Sequence, residues 1–326
     1  MAKQAGVSVA TISRVLNGED NVSPETRTHV LEVVKRMGYT PNVLGRNLRI
    51  KSTRKILVLI PTLSNQFYSS VIRGMENVAR KEGYQVLISA TYSQKETEKE
   101  LIAMLYNRSV DGIILLSSQL SSKELTEIAR VKPLVLCCEY TDGALLPAVT
   151  IDNYQAGFQA VEYLIQLGHQ KIALISNNTV FSGRQRSQGY RDALKTYHCR
   201  YMPSYCVETE YTFQAGVSAT KKLMKLPDPP TAIFAISDVL AAGVIKELYA
   251  QGKCPGKDVD VFGFDNISLA KMITPSLSTV SQPRRQMGEQ AMKLLLQKIE
   301  DIHTENPLVI LPHQLIFRQS THDRKI

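Results

Sequence analysis

The 326-residue sequence contains no tryptophan, and its five cysteines show no C-x-x-C spacing. An odd, sparse set of thiols excludes a disulfide-stapled scaffold and a cysteine zinc motif, and it indicates free thiols in a reducing cytoplasm. No apolar run approaches the ~18 residues that a membrane-spanning helix needs, and the start MAKQAGVSVA lacks the apolar segment of a signal peptide. We therefore expect a cytoplasmic protein that has no membrane partner.

Signatures of catalysis and of cofactor binding are also missing. The sequence has no G-x-G-x-x-G loop after a strand, no Walker A loop, no H-E-x-x-H and no G-x-S-x-G. Its six histidines are scattered along the chain. We expect no catalytic residues, no cofactor and no metal site, and enzyme classes are disfavoured.

Positive charge is what the sequence has in excess, and it lies near the start. Residues 1–55 hold ten lysines or arginines against four acidic residues, so they carry +6 of the formal net charge of +9. Such a segment is either a solvated basic tail or a surface for a polyanion. The length predicts about two domains at roughly 150 residues each.

Residues 1–38 are predicted to form short helices. Gly6 can adopt the positive φ that ends a first helix. Ser8 is a good N-cap for a second helix that runs to about Asn17, and Ser23 followed by Pro24 starts a third helix that stops near residue 38. This order is typical of a helix-turn-helix, although any small three-helix bundle shares the bare pattern.

The segment AGVSVATISRVLNGEDNVSPETRTHVLEVVKRMGYTPN strongly resembles the DNA-binding headpiece of the LacI/GalR family of bacterial repressors. The resemblance implies a groove-facing set that consists of Ser8, Val9, Ala10, Thr11, Ser13, Arg14 and Asn17. It also implies contacts to backbone phosphate from Asn21, Ser23 and Thr26. Val9 and Ala10 stand where the family selects its operator and can touch thymine methyl groups, whereas Arg14 is predicted to read guanine.

One departure from the family concerns the start of the chain. Family members usually begin several residues earlier, with a first helix of the form T-I-x-D-V-A. This sequence starts at the equivalent of the last turn of that helix. We expect a misassigned start codon, and a truncated first helix is the alternative.

The segment VLGRNLRIK that follows Pro41 and Asn42 is either an ordinary basic linker or a hinge. The resemblance implies a short hinge helix that folds on DNA. The resemblance also implies that Leu48 of this hinge helix is the wedge that enters the minor groove and bends the duplex. Arg46 and Arg49 flank this leucine and can reach phosphates.

From residue 55 the pattern changes to short apolar runs separated by amphipathic helical stretches. The runs are KILVLIP, QVLISA, DGIILLSS, PLVLCCE, KIALISN, TAIFAIS and VDVFGFD. Short buried strands that alternate with helices predict an α/β fold with doubly wound parallel sheets. More than 250 residues follow this pattern, so two subdomains are expected, with a break near residues 151–153.

The body also resembles the same family, whose effector domain is similar to periplasmic sugar-binding proteins. The resemblance implies three crossings between subdomains, which we place near Ile151, Gln282 and Val309. The predicted organisation is then a headpiece (1–40), a hinge (41–54) and a body (55–326). Within the body, one subdomain comprises 55–151 and 283–308, and the other comprises 152–282 and 309–326.

In this fold the ligand lies in the cleft between the subdomains, where strands end and helices begin. The effector-binding residues that the resemblance implies are Asn65, Phe67, Tyr68, Ser182, Arg186, Tyr211, Asp238 and Asp265. Read without the family, Phe67 and Tyr68 could equally be core residues. Arg186 alone reads as a solvated charge, and Asp265 alone reads as part of a turn.

The ligand class is predicted from a second departure. The family often has an aspartate after the first strand, whereas this chain has PTLSNQF there. Stretches such as VIRGMENVA, LPDPPTA and GFDNISL look most like the cytidine-repressor branch of the family. A nucleoside effector is therefore expected, and a sugar is the alternative.

The function that these features predict is an effector-responsive transcriptional regulator, with repression as the expected sense. A homodimer would read a pseudo-palindromic, double-stranded operator. A solute-binding protein of the periplasmic type is the main alternative, but it would need a signal peptide and no basic head. A Rossmann-type enzyme is disfavoured because a phosphate-binding loop is missing.

Overall fold

The structure is a computed structural model, and it describes residues 1–16, 20–38 and 52–322. The chain divides into two compact units, Met1–Thr53 and Arg54–Ile326. No helix in the described ranges is long and apolar enough to cross a membrane.

Within its described residues, 1–16, 20–38 and 52–53, the first unit contains three helices, α1 (Ala2–Ala5), α2 (Val9–Leu16) and α3 (Pro24–Arg36). Their inner faces meet in a small core, whose buried members are Ala5, Ile12, Val15, Val30 and Val33. Because the apolar residues of α2 and α3 recur at helical spacing, each helix buries one stripe and leaves the opposite face to solvent.

The predicted caps of these helices are confirmed. Gly6 ends α1 with a φ of 61°. The Ser8 hydroxyl accepts a hydrogen bond from the Thr11 N–H at 3.1 Å, and the Ser23 hydroxyl accepts one from the Thr26 N–H at 3.3 Å. Such caps satisfy backbone donors that the first turn of a helix leaves unpaired.

Over its described residues, 54–322, the second unit contains two sheets, each of six strands. The first sheet has the order β11-β5-β4-β3-β1-β2, and all its neighbouring strands are parallel. Its strands are β1 (Lys55–Ile60), β2 (Gln85–Ala90), β3 (Gly112–Leu115), β4 (Leu134–Cys137), β5 (Ala148–Ile151) and β11 (Leu308–Leu311). The central strands are buried on both faces, as their continuous apolar runs predict.

The second sheet has the order β12-β10-β9-β8-β6-β7 and is parallel except for the antiparallel pair of β10 and β12. Its strands are β6 (Ile172–Ser176), β7 (Cys206–Glu208), β8 (Ala232–Ala235), β9 (Asp260–Asp265), β10 (Ser278–Ser281) and β12 (Gln314–Ile316). The predicted α/β class with two parallel sheets is therefore confirmed.

Helices connect the strands and cover the sheets. They are α4 (Phe67–Lys81), α5 (Lys95–Tyr106), α6 (Ser122–Ala129), α7 (Asn153–Gln166), α8 (Phe181–Thr196), α9 (Phe213–Met224), α10 (Asp238–Ala250), α11 (Leu269–Met272) and α12 (Arg284–Glu300), with a 3₁₀ turn at Pro203–Tyr205.

The chain passes between the two sheets three times in the described residues. The first crossing follows Ile151 and the second follows Ser281, beside the predicted Gln282. The third differs from the prediction at Val309, because β11 continues in the first sheet to Leu311, where it pairs with Ile151. The chain enters the second sheet only at Gln314, so residues 309–311 belong with the first sheet.

Candidate functional site

A group of charged and hydroxyl side chains lies where strands of both sheets end. Tyr68 lies in the first turn of α4, the helix that follows β1, and Glu139 follows β4. Arg186 lies on α8, which follows β6, and Asp265 is the last residue of β9. The charges of Glu139, Arg186 and Asp265 all act on the ionisation of Tyr211. The structure thus brings most of the predicted effector residues to one place, together with Glu139.

Arg186 is the central cation of this group and is only 6% exposed. Its Nε donates to Asn153 Oδ1 at 2.9 Å, and its Nη1 donates to the Ile236 carbonyl at 2.8 Å. The guanidinium also stacks on the Phe264 ring, 3.6 Å from the centroid. A buried guanidinium held on three sides is a fixed donor, so the interpretation as a solvated charge is wrong.

Close packing of α7 against α8 positions this arginine. A Cβ at Gly157 would lie 2.6 Å from the Arg186 carbonyl oxygen, and a Cβ at Gly189 would lie 2.3 Å from the Tyr154 carbonyl oxygen. Only glycine allows the two helix backbones to approach so closely. The approach holds Arg186 beside Asn153, which directly follows the first crossing between the sheets.

Asp265 is a buried carboxylate in a strained backbone conformation. It is buried, and its backbone adopts a φ of 112°, a region that residues with a side chain rarely occupy. Oδ1 accepts a hydrogen bond from Gln282 Nε2 at 2.7 Å. Burial raises the pKa of Asp265 from 3.8 to about 6, against the opposing effect of the Arg186 charge and the Gln282 hydrogen bond.

Glu139 is a residue that sequence reasoning missed. Its carboxylate accepts hydrogen bonds from the Ser182 hydroxyl and from the Ser182 N–H, the latter at 2.9 Å. These bonds join the end of β4 in the first sheet to α8, which follows β6 of the second. Burial raises the pKa of Glu139, while Ser182 and Arg186 oppose that rise. The available signal was a carboxylate that directly follows the apolar run PLVLCC.

Two tyrosine hydroxyls complete the cluster. Burial raises the pKa of Tyr68 and of Tyr211, so both remain neutral donors at physiological pH. Tyr211 Oη is buried near the Ser182 hydroxyl but makes no hydrogen bond of good geometry among the described residues. An unsatisfied buried hydroxyl costs about 1–3 kcal/mol, which a ligand acceptor would recover.

Two further predicted residues shape the first turn of α4. The Asn65 side chain accepts a hydrogen bond from the Phe67 N–H at 2.9 Å. Phe67 is buried in the main core, as its alternative interpretation as a core residue predicts. Its ring meets the Tyr68 ring edge-on at 5.4 Å between centroids.

Asp238 does not line the site, contrary to the prediction. It is 0% exposed, and its carboxylate accepts hydrogen bonds from Thr279 Oγ1 at 2.6 Å and from the Ile267 N–H at 2.8 Å. The cap of α10 is Ser237, whose hydroxyl accepts from the Leu240 N–H at 3.3 Å. Asp238 therefore supports the site indirectly, because its carboxylate joins β10 to the loop after β9.

A cavity of about 480 Å³ lies beside the cluster, between the ends of β3 and β4 and the start of α8. Its lining includes Ser117, Gln119, Glu139, Tyr140, Phe181 and Arg184. The rings of Tyr140 and Phe181 lie 4.2 Å apart between centroids. Of the cluster, Glu139 reaches this cavity, and its aromatic walls were not predicted from the sequence.

The first unit presents a second candidate surface, which is formed by the start of α2 and the start of α3. Ser8, Val9, Ala10 and Arg14 are exposed on α2 or its cap, while Thr11 and Ser13 are half-buried. Asn21 and Ser23 are exposed beside the start of α3, and Thr26 is half-buried there. The predicted contacts Asn17, Arg46, Leu48 and Arg49 lie outside the described residues.

These features define a class of protein: a small helical headpiece of the DNA-reading type followed by a two-sheet body with a polar ligand site. Comparison with protein families agrees with this class. The family model described as bacterial regulatory proteins, lacI family, matches residues 1–42. The model described as periplasmic binding proteins and sugar binding domain of LacI family matches residues 53–319. The chain therefore belongs to the LacI family of bacterial transcriptional regulators.

Individual relatives cover nearly the whole chain. The chain is 37% identical to catabolite control protein A of Priestia megaterium over 98% of each sequence. It is 38% identical to the HTH-type transcriptional repressor CytR of Escherichia coli K12, over 98% of this chain and 95% of the relative. A solved structure of the lac repressor dimer bound to operator matches with a TM-score of 0.88, at 25% identity over 99% of this chain and 98% of that one. The alternative of a solute-binding protein is thus not favoured.

Proposed function

We propose that the chain is a homodimeric, cytoplasmic regulator without enzyme activity, cofactor or membrane partner, which binds operator DNA through residues 1–54. Support comes from the exposed face of α2, where Val9 at the start of the helix and Arg14 in its last turn lie outside the small core. Asn17, Arg46, Leu48 and Arg49 complete the proposed DNA contacts, together with Ser8, Ala10, Thr11, Ser13, Asn21, Ser23 and Thr26.

The effector would bind between the two subdomains of the body, on the cluster formed by Tyr68, Glu139, Ser182, Arg186, Tyr211 and Asp265. The observation that carries this proposal is the pair of bonds from Ser182 to Glu139, which links the ends of the two sheets. A ligand hydroxyl that replaces Ser182 at Glu139 would alter this link. Effector binding would then change how the subdomains close and how the hinges meet on DNA.

The chemistry of the cluster favours a polyhydroxylated ligand. Two carboxylates accept hydrogen bonds from hydroxyl or amino groups, while Arg186 and Tyr211 donate to oxygen. The rings of Tyr140 and Phe181 pack against each other beside Glu139, and their outer faces can contact either a planar base or the C–H face of a sugar ring.

A thermal-shift screen of nucleosides and sugars on the full-length protein tests this assignment, followed by operator binding with each hit. The operator itself is obtained by selection from random duplexes. A stabilising nucleoside or sugar that changes operator affinity supports the proposal. Stabilisation by neither class would contradict it.

We expect Arg14→Ala to weaken binding to the selected operator by about 1–3 kcal/mol and to change binding to random DNA little. The reason is that a guanidinium bonded to guanine supplies discrimination between sequences, whereas phosphate contacts act on every sequence. Fluorescence anisotropy with both duplexes measures the two affinities. Lys3→Ala, at an exposed position of α1, serves as the control. An equal loss on both duplexes would remove Arg14 from base reading.

The homodimer is expected to use the outer edge of the first sheet. Strand β2 lies at that edge, and its Leu87 and Ile88 side chains are exposed. Exposed apolar residues on an edge strand invite association. Ile88→Asp should therefore convert the dimer to a monomer and lower operator affinity at least 10-fold, because only paired headpieces bind two half-sites.

Light scattering after size-exclusion chromatography measures this change. Leu308→Asp is the matched control, because Leu308 is exposed on β11 at the opposite edge of the same sheet. If only Leu308→Asp dissociates the dimer, the interface lies at the β11 edge, which contradicts the proposed β2 interface.

A further inference from the structure

Two histidines and an aspartate that the sequence keeps far apart come together on the second sheet. His169 lies between α7 and β6, Asp260 is the first residue of β9, and His322 follows β12. One nitrogen of each imidazole and one carboxylate oxygen lie within 4.8 Å of one another. We propose that these three side chains form a binding site for a divalent ion of the zinc class.

The distances suit such an ion after a small adjustment. His169 Nε2 lies 2.9 Å from Asp260 Oδ2, and His322 Nδ1 lies 2.7 Å from the same oxygen. Zinc binds imidazole nitrogen and carboxylate oxygen at about 2.0–2.2 Å, so ligand atoms around a tetrahedral ion are about 3.3 Å apart. Each imidazole nitrogen would move about half an ångström away from Asp260 Oδ2. The two nitrogens, which lie within 4.8 Å of each other, would settle about 3.3 Å apart around the ion.

The donor set is appropriate for this class of metal. Two imidazoles and one carboxylate are ligands that zinc and neighbouring transition metals accept, whereas calcium and magnesium prefer an all-oxygen shell. Three protein ligands leave a fourth position for water. Asp260 is buried, while His322 remains partly exposed, so an ion can reach the site from solvent.

The surroundings of His169 already fit a metal-bound ring. His169 Nδ1 lies 2.9 Å from Thr231 Oγ1, and that hydroxyl lies 3.3 Å from the Lys171 carbonyl oxygen. With a metal on Nε2, the Nδ1–H group would donate a hydrogen bond to Thr231 Oγ1. The Thr231 hydroxyl would in turn donate a hydrogen bond to the Lys171 carbonyl oxygen. Such outer hydrogen bonds fix the tautomer and the orientation of a ligating histidine.

The site would tie the end of the chain to the second sheet. The His322 N–H donates to Asp260 Oδ1 at 3.2 Å, and so the backbone is already held at this point. A bound ion would add a second connection between the C-terminal segment, β9 and the loop before β6. Without a metal, both imidazoles would simply donate protons to Asp260, which is the competing interpretation.

The test is titration of tag-free, full-length protein with ZnCl₂ against a chromophoric chelator, after removal of metal with EDTA. We expect one ion per chain and a rise in the thermal midpoint that EDTA reverses. His322→Gln should weaken zinc binding at least 10-fold, and Thr231→Val should weaken it about 10- to 100-fold while it leaves all three ligands in place.

His303→Gln is the matched control, because His303 is exposed and lies outside this cluster. Substitution of Co²⁺ reports the coordination directly through its visible absorption. Binding that is absent, or that His322→Gln leaves unchanged, would overturn the site and favour plain hydrogen bonds to Asp260. Binding that is equally weakened by His303→Gln would also overturn it.

Discussion

Asp265→Asn is expected to remove the response to the effector and, at the same time, to stabilise the fold at neutral pH. A pKa raised from 3.8 to about 6 means that the folded surroundings, with burial as the largest cause, disfavour the ionised carboxylate by a net free energy of about 3 kcal/mol. Asparagine keeps the shape and can still accept the bond from Gln282, but it carries no charge. The variant should therefore gain up to about 3 kcal/mol at pH 7.5.

The sign of the pH dependence follows from the same raised pKa. Since the native Asp265 holds its proton more tightly than in the unfolded chain, its contribution favours folding below pH 3.8 and is lost as the pH rises through about 6. Asp265→Asn should lack this contribution to the pH profile of unfolding. Effector affinity of the unmodified chain should fall as the pH drops through about 6, because the protonated carboxyl loses an acceptor.

Urea unfolding between pH 5 and 8 measures the stability, and a reporter titration measures the response. Glu247→Gln is the control, because Glu247 is a buried carboxylate on α10 that lies outside the cluster. A variant that still responds normally would contradict the role of Asp265 in ligand binding. A variant that is less stable than the unmodified chain would contradict the claim that the buried Asp265 carboxylate destabilises the fold at neutral pH.

Arg186→Met should have the largest destabilising effect. The substitution leaves Asn153 Oδ1 and the Ile236 carbonyl without their donor, and it removes the positive charge that opposes Asp265 and Glu139. Loss of one partner from a buried charged group costs about 3–5 kcal/mol. The thermal midpoint of the body should fall by roughly 10 °C, and the pKa of both carboxyls should rise.

Arg186→Lys keeps the test informative if the methionine variant fails to fold. Lysine retains a charge but cannot donate along the fixed directions of the guanidinium, so stability should recover in part while the effector response stays lost. Arg191→Met, on the exposed face of the same helix, should leave both properties unchanged. A full response in Arg186→Lys would show that charge alone, and not the held geometry, is needed.

Local signals in the sequence predicted the elements well. Gly6, Ser8, Ser23 and Pro24 set the helix ends through their own backbone and side-chain preferences. The apolar runs set the strands, because a strand covered on both faces needs little else. The third crossing was placed near Val309 from the family resemblance, and it falls a few residues later because β11 pairs with β5 as far as Leu311.

Properties that depend on long-range contacts were harder to predict. The burial of Arg186 results from the glycine contacts between α7 and α8, and no local sequence pattern predicts these contacts. Glu139 becomes a site residue only because α8 brings Ser182 to it. His169 and His322 looked unrelated because they lie far apart in the sequence, in loops that only the fold brings to Asp260 on β9.

Operator affinity with and without a bound effector tests the central claim most directly. The measurement is fluorescence anisotropy of the selected operator with the full-length protein, at saturating concentration of a nucleoside or sugar that stabilises the body. A regulator of this design should change its operator affinity about 5- to 150-fold, corresponding to a coupling of about 1–3 kcal/mol, and Asp265→Asn should show no change. A ligand that binds the cluster tightly and leaves operator affinity unaltered would contradict the account.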